Sequence, residues 1–177
     1  MGAALDQLLD PSYPGDLGAR SMAELREMRA ECQAVETGLS LLRRIVQGRL
    51  DIVGLERQRR AAGGPAEDLS GLIAQLPDAL ADRTSGPGRG QLTAVDADVE
   101  VPADLAAELE AIAPASSVAD PSALDDATLQ EVAERLSAFE RHVSDQRREL
   151  FGRIDALQAE IVRRYRDGEA SVDALLG

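Results

Sequence analysis

The sequence contains no tryptophan, no lysine and no asparagine, and only two Phe, two Tyr, one Cys and one His among 177 residues. With so few large rings there is little to fill a sheet sandwich or a deep globular core. Leu, Ile, Val and Ala must supply the packing, which suits helix seams and an all-α fold. The single Cys32 excludes an intramolecular disulfide and a multi-cysteine metal site, and fits a reducing cytoplasm. His142 lacks a second His or Cys with which to assemble a zinc site or a triad, and it reads as a solvated helix residue. Ser40 and Ser144 have no base beside them, so no enzyme and no metal site are expected. The GPGRG stretch at 86–90 lacks the Lys and Ser/Thr of a phosphate loop. No apolar run approaches the ~20 residues that span a bilayer, and the N-terminus lacks a basic region followed by an apolar core, so neither membrane insertion nor secretion is expected.

All 19 basic residues are arginine, whose planar guanidinium stacks on rings and pairs in a fork with carboxylates, phosphates and guanine edges. The net charge of -13 is unevenly placed. Residues 20–61 hold nine Arg against six acids, 127–167 hold eight of each sign, and 62–126 hold two Arg against thirteen acids. Acidity therefore belongs to the middle and the tails. Direct DNA binding, which needs a broad positive face, is disfavoured.

Pro11, Pro14 and Gly15 punctuate residues 1–20, which read as an extended N-terminal arm preceded by at most a short helix. Ser21 with Glu24 forms a capping box that opens a first long helix over 21–62, stopped by Gly63, Gly64 and Pro65. A second long helix occupies 126–167, capped by Asp125 or Asp126 and stopped at Asp167 and Gly168. Each is about 60 Å long at 1.5 Å per residue. The intervening 63–125 read as an acidic linker with short helices at 68–76 and 103–112, residues 84–101 being plain linker; 168–177 form a C-terminal tail.

A shift of 104 residues superposes VETGLSLLRRIVQGRLDIVGLE on FERHVSDQRRELFGRIDALQAE. Glu36, Ser40, Arg43, Arg44, Gly48, Arg49, Asp51 and Glu56 meet their own residue type at Glu140, Ser144, Arg147, Arg148, Gly152, Arg153, Asp155 and Glu160. At 100° per residue Glu36, Ser40, Arg43, Gln47 and Asp51 fall within an arc of about 80°, a single polar rail. Beside it runs an apolar stripe of Leu39, Leu42, Val46, Leu50 and Val53, matched by Val143, Gln146, Leu150, Ile154 and Leu157. Two such helices bury their seams against one another, and an intramolecular antiparallel coiled-coil hairpin is expected, its rails related by a pseudo-twofold axis.

In one copy, such a rail is ordinarily a solvated face laced with i,i+4 ion pairs. Recurrence of four of the five rail residue types in both copies argues for a binding role, although common descent would also preserve them. Gly48 and Gly152 each cost roughly 1 kcal/mol against Ala inside a helix. Either close approach of a flat ligand or partner, or close helix packing, accounts for them. An Arg fork meets O6 and N7 of guanine while a carboxylate accepts from its N1–H and amine, so the rail suits guanine nucleotides.

The segment at 36–51, ETGLSLLRRIVQGRLD, resembles the E-x3-S-x2-R-x3-Q-x3-D signature of the actinobacterial RsiG family of cyclic-di-GMP-dependent anti-sigma factors. The resemblance implies two signature helices that hold a stacked dimer of cyclic-di-GMP as regulatory ligand. It further implies that the loaded protein sequesters the flagellar-type sporulation sigma factor WhiG. Carried over by position, the ligand residues are Glu36, Ser40, Arg43, Gln47 and Asp51 in copy one and Glu140, Ser144, Arg147 and Asp155 in copy two, with Arg44, Arg148 and Phe151 as further candidates. Phe151 stands where the signature has Gln, so that residue's hydrogen bonding does not transfer, and the ring either stacks or merely packs. From the residues alone, a nucleotide-independent coiled-coil scaffold or chaperone and a homo-oligomer remain as alternatives.

Overall fold

A computed structural model of the chain describes residues 2–63 and 99–168. Within them lie α1 (Gly2–Leu9), a 3-10 turn (Leu17–Ala19), α2 (Met22–Ala61), α3 (Ala103–Ile112), α4 (Ala115–Ala119), a second 3-10 turn (Pro121–Ala123) and α5 (Asp126–Arg166). No strand occurs among the described residues. The helix expected at 68–76, residues 84–98 of the expected linker and residues 169–177 of the tail lie outside them.

The long helices begin and end for the reasons their sequences give. Ser21 N–H donates to Glu24 Oε2 at 2.7 Å and Glu24 N–H to Ser21 Oγ at 3.2 Å, a reciprocal capping box that satisfies N–H groups at the start of α2. For α5 the cap is Asp125, whose Oδ1 accepts from Thr128 N–H at 2.7 Å. Gly63 and Gly168 adopt φ of 66° and 72°, the left-handed region that closes a helix C-terminus at no steric cost to glycine.

The chain forms two compact units. The first comprises Met1–Arg43, Val99–Ala106 and Arg141–Gly177, the second Arg44–Asp98 and Ala107–Glu140. In the first, Arg26 bonds Tyr165, Arg29 bonds Gln158 and Glu36 bonds Arg147, so residue numbers fall on α5 as they rise on α2. In the second, Gln47 bonds Glu140 and Arg60 bonds Asp126, again antiparallel. Most of the expected seam is core, while Leu50 and Ile154 are half-buried at its margin. Leu39, Leu42, Val143, Leu150 and Leu157 are fully buried in the first unit, as are Val46, Val53, Leu129 and Leu136 in the second, each worth roughly 1.5–3 kcal/mol. Gln146 interrupts it with a buried Oε1 that has no hydrogen-bond partner.

The short helix allowed before the arm is present at residues 2–9, and it is packed down rather than free: Leu5 and Leu8, three apart on one face, are 2% and 4% exposed. Arg153 holds this helix by its end, donating to the carbonyls of Leu8, Leu9 and Asp10 at 3.3, 3.4 and 3.2 Å, which completes acceptors that a helix terminus leaves open. In the second unit Arg49 does the same for α3, donating to the carbonyls of Leu109 and Ala113 and to Glu110.

The repeat therefore reaches beyond the long helices. Arg49 and Arg153 are 104 apart, as are the two 3-10 turns and the Asp16 and Asp120 that precede them. At the helix ends, Arg164 donates to the carbonyls of Arg20, Leu17 and Gly18 at 2.6, 2.7 and 3.2 Å. Its counterpart Arg60 donates to those of Leu124, Pro121 and Ser122 at 2.7, 3.2 and 3.2 Å. Each long helix thus fastens, with its last turn, the turn that feeds the other long helix. Both arginines are held by a glutamate one turn earlier. Glu56, 0% exposed, accepts from Arg59 at 2.7 and 2.6 Å and from Arg60 at 2.5 Å. Glu160 accepts from Arg163 at 2.9 Å twice and from Arg164 at 2.7 Å.

The copies differ at Gly38. A Cβ there would lie 2.3 Å from the Glu100 carbonyl oxygen, because the segment entering α3 crosses the helix at this point. His142, at the same register in copy two, is exposed.

Candidate functional site

The polar rail lies on α2 and α5 beside the seam, so most of its residues stand at the margin of the core. Glu36, Ser40, Arg43 and Gln47 are half-buried, and so are Glu140, Ser144 and Arg147, while Asp51, Asp155, Arg44 and Arg148 are exposed. The gradient follows the angles. On α2, Asp51 turns farthest from the seam and therefore faces water.

In the first unit the two rails meet. Glu36 Oε1 accepts from Arg147 Nε at 3.0 Å and Nη2 at 2.7 Å, and from Ser40 Oγ at 2.8 Å. The pair is 15% and 19% exposed, enough burial to make it worth more than a surface ion pair, at roughly 1 kcal/mol or above. Phe151 completes the cluster: its ring centroid lies 5.6 Å from the Arg147 guanidinium carbon, a cation–π contact, and the residue is 45% exposed. Ser144 and Asp155 stand on the same helix, one turn either side of Arg147 and Phe151. Arg148 turns away to pair with exposed Asp145 at 2.7 Å.

In the second unit Gln47 Nε2 donates to Glu140 Oε1 at 3.4 Å, a long hydrogen bond from the rail of one copy to that of the other. Asp51 is exposed beyond it. Each unit accordingly presents carboxylate oxygens and N–H donors drawn from both copies.

Gly48 and Gly152 turn out not to serve helix packing. A Cβ at either would meet nothing within 4 Å, and both residues are exposed. Their helix-propensity cost is recovered by no contact among the described residues.

The cross-helix Glu36–Arg147 pair, the Phe151–Arg147 stack and the glutamate–arginine fastenings at the helix ends were missed by the sequence reading. Recurrence at the same 104-residue offset marked Glu56, Glu160, Arg49 and Arg153, but not what they hold. Cys32 is fully buried, its Sγ 3.7 Å from Tyr13 Oη, and burial pushes its thiol above the ordinary range. Among the described residues no group of three or more His, Cys, Asp or Glu is placed to hold a metal, and no helix is long and apolar enough to cross a membrane.

Comparison with known proteins bears on these rails directly. A family model described as RsiG-like matches the chain in two stretches, residues 11–83 and 115–177, each containing one copy of the rail. No curated protein matches the chain significantly.

Proposed function

We propose, from the premise that the chain belongs to the RsiG-like family, that it is an anti-sigma factor gated by cyclic-di-GMP. Membership itself carries the coarser part: a regulatory function of the anti-sigma type, with a sigma factor as partner. The finer reading is that cyclic-di-GMP binds on the two rails and that the loaded protein sequesters a WhiG-type sigma factor, blocking transcription of sporulation genes in the cytoplasm.

The observation that carries this reading is the meeting of Glu36 and Arg147, rail residues from different copies of the repeat. Guanine has an edge for each. Its O6 and N7 accept from a guanidinium fork, and its N1–H and amine donate to a carboxylate. Ser40 and Ser144 add hydroxyls at the same register for ribose or phosphate. Two rails, each with its own Glu, Ser, Arg and Asp, suit two nucleotide molecules arranged by the symmetry of the repeat, as a stacked dimer would be.

Gating follows if ligand and sigma factor favour the same arrangement of the helices. A ligand shifts such an equilibrium only by its difference in affinity between states, and coupling of about 1–3 kcal/mol changes partner affinity by about 5- to 150-fold. Calorimetric titration of the purified chain with cyclic-di-GMP is expected to saturate at two molecules per chain. No saturable heat would leave a nucleotide-independent coiled-coil scaffold as the better account.

A further inference from the structure

The rail has one break in its symmetry, and the structure gives that break a use. Gln47 of copy one donates a hydrogen bond to Glu140, whereas Phe151 at the same register has no polar group to offer. Phe151 has not retreated into the seam either. It and Ile45 are the large apolar side chains exposed among the described residues, at 45% and 39%, and only Phe151 stands on the rail.

Its surroundings are those of a stacking surface. Glu36 holds the Arg147 guanidinium through in-plane bonds to Nε and Nη2, which leaves the faces of that group for rings. The Phe151 ring lies 5.6 Å from its central carbon. The next residue, Gly152, is bare: a Cβ built there meets nothing within 4 Å. Asp155, one turn on and on the same face as Phe151, is exposed. Ring, bare backbone and carboxylate follow one another along α5 with no side chain standing between them and water at Gly152.

We propose that Phe151 is a stacking platform for a purine base of the bound nucleotide, with Asp155 accepting from the hydrogen-bond donors on the edge of that base. The inference rests on the cyclic-di-GMP reading above and adds that the two copies recognise their nucleotide differently, copy one through the Gln47 amide and copy two through a ring. Stacking on an aromatic side chain tolerates small shifts of the base that a hydrogen bond does not, so copy two grips its base by area and copy one by direction.

Calorimetric titration of the full chain with cyclic-di-GMP, comparing wild type with Phe151→Leu and Phe151→Trp, tests it. The Leu variant keeps apolar bulk without a π face and is expected to bind about tenfold more weakly, whereas the Trp variant stays within about twofold of wild type. Because the chain has no tryptophan, the indole of Phe151→Trp is the only one present, and its emission is expected to be quenched as nucleotide saturates. A Leu variant that binds as wild type does, or an indole whose emission nucleotide leaves unchanged, overturns the platform. So does a Leu variant with normal nucleotide affinity that no longer captures the sigma factor, which would make the ring a protein contact. A wild-type chain that takes up no nucleotide defeats the proposed function itself and is told apart from a failed platform by that control.

Discussion

Arg147→Ala is expected to lower the affinity for cyclic-di-GMP by about 100-fold, because a charge-assisted hydrogen bond contributes about 1.5–3 kcal/mol and each 1.4 kcal/mol is a factor of ten. Arg147 is the residue in which the features of the rail converge, bonded to Glu36 from the other copy and stacked beside Phe151. Removing it also leaves Glu36 half-buried without its cation, so a modest loss of stability, on the order of 1 kcal/mol, should accompany the loss of binding. Asp155→Ala separates the two effects. Asp155 is exposed, so its removal should leave the thermal melt unchanged while still weakening binding. Calorimetry with parallel circular dichroism reads both. Normal affinity in Arg147→Ala would remove the rail of the first unit as the nucleotide site.

Glu56→Ala is expected to cost about 3 kcal/mol, a drop in Tm of roughly 6–12 °C for a chain of this size. Glu56 is 0% exposed and is the shared acceptor for Arg59 and Arg60, and Arg60 in turn donates to three carbonyls of the turn that leads into α5. Losing the carboxylate removes the acceptor that Arg59 and Arg60 share and loosens that turn. The same chemistry makes stability depend on pH. Hydrogen bonding from Arg59, reinforced by Arg60, holds the Glu56 carboxyl at about 2, and Arg163 with Arg164 holds Glu160 at about 2. Both values are depressed below the ordinary carboxylate value of 4.5. The stabilisation is therefore fully present above about pH 4.5 and is lost as pH falls from there towards 2. Thermal melts between pH 6 and 2 should show this acid limb in the wild type and a shallower one in Glu56→Gln. An equally steep limb in the variant would mean that other carboxylates set it.

How much of this was legible in the sequence depended on whether a feature is local. The ends of α2 and α5 were written in Ser21 with Glu24, Asp125, Gly63 and Gly168, since caps and left-handed glycines act within a turn of themselves. The seam and the rail were legible for the same reason, as periodicity along one helix. The antiparallel pairing followed from two seams of equal length. What failed to show were features whose partners lie far along the chain. Arg153 looked like one more helix arginine, because nothing near it in sequence indicates that it will meet the carbonyls of Leu8, Leu9 and Asp10. Pro11 and Pro14 left room for a short helix before them, and α1 ends there; the close spacing of Leu5 and Leu8 was the overlooked sign that its face is buried. Within the candidate site, the residue types were legible but the partners were not. Glu36 and Arg147 become neighbours only once the helices are paired in register. Phe151 was legible as a position without the hydrogen bonding of Gln, but not as an exposed ring beside Arg147.

The extended repeat, from the short helices through the 3-10 turns to the last turn of each long helix, explains why each unit draws on both copies. A half of the chain lacks the arginines that fasten its own short helix and turn.

Capture of a purified WhiG-type sigma factor on the immobilised chain, with and without saturating cyclic-di-GMP, tests the central claim most directly. Retention of the sigma factor is expected with the nucleotide and little or none without it. Equal retention in both arms would contradict gating, since a ligand with no difference in affinity between the states shifts nothing.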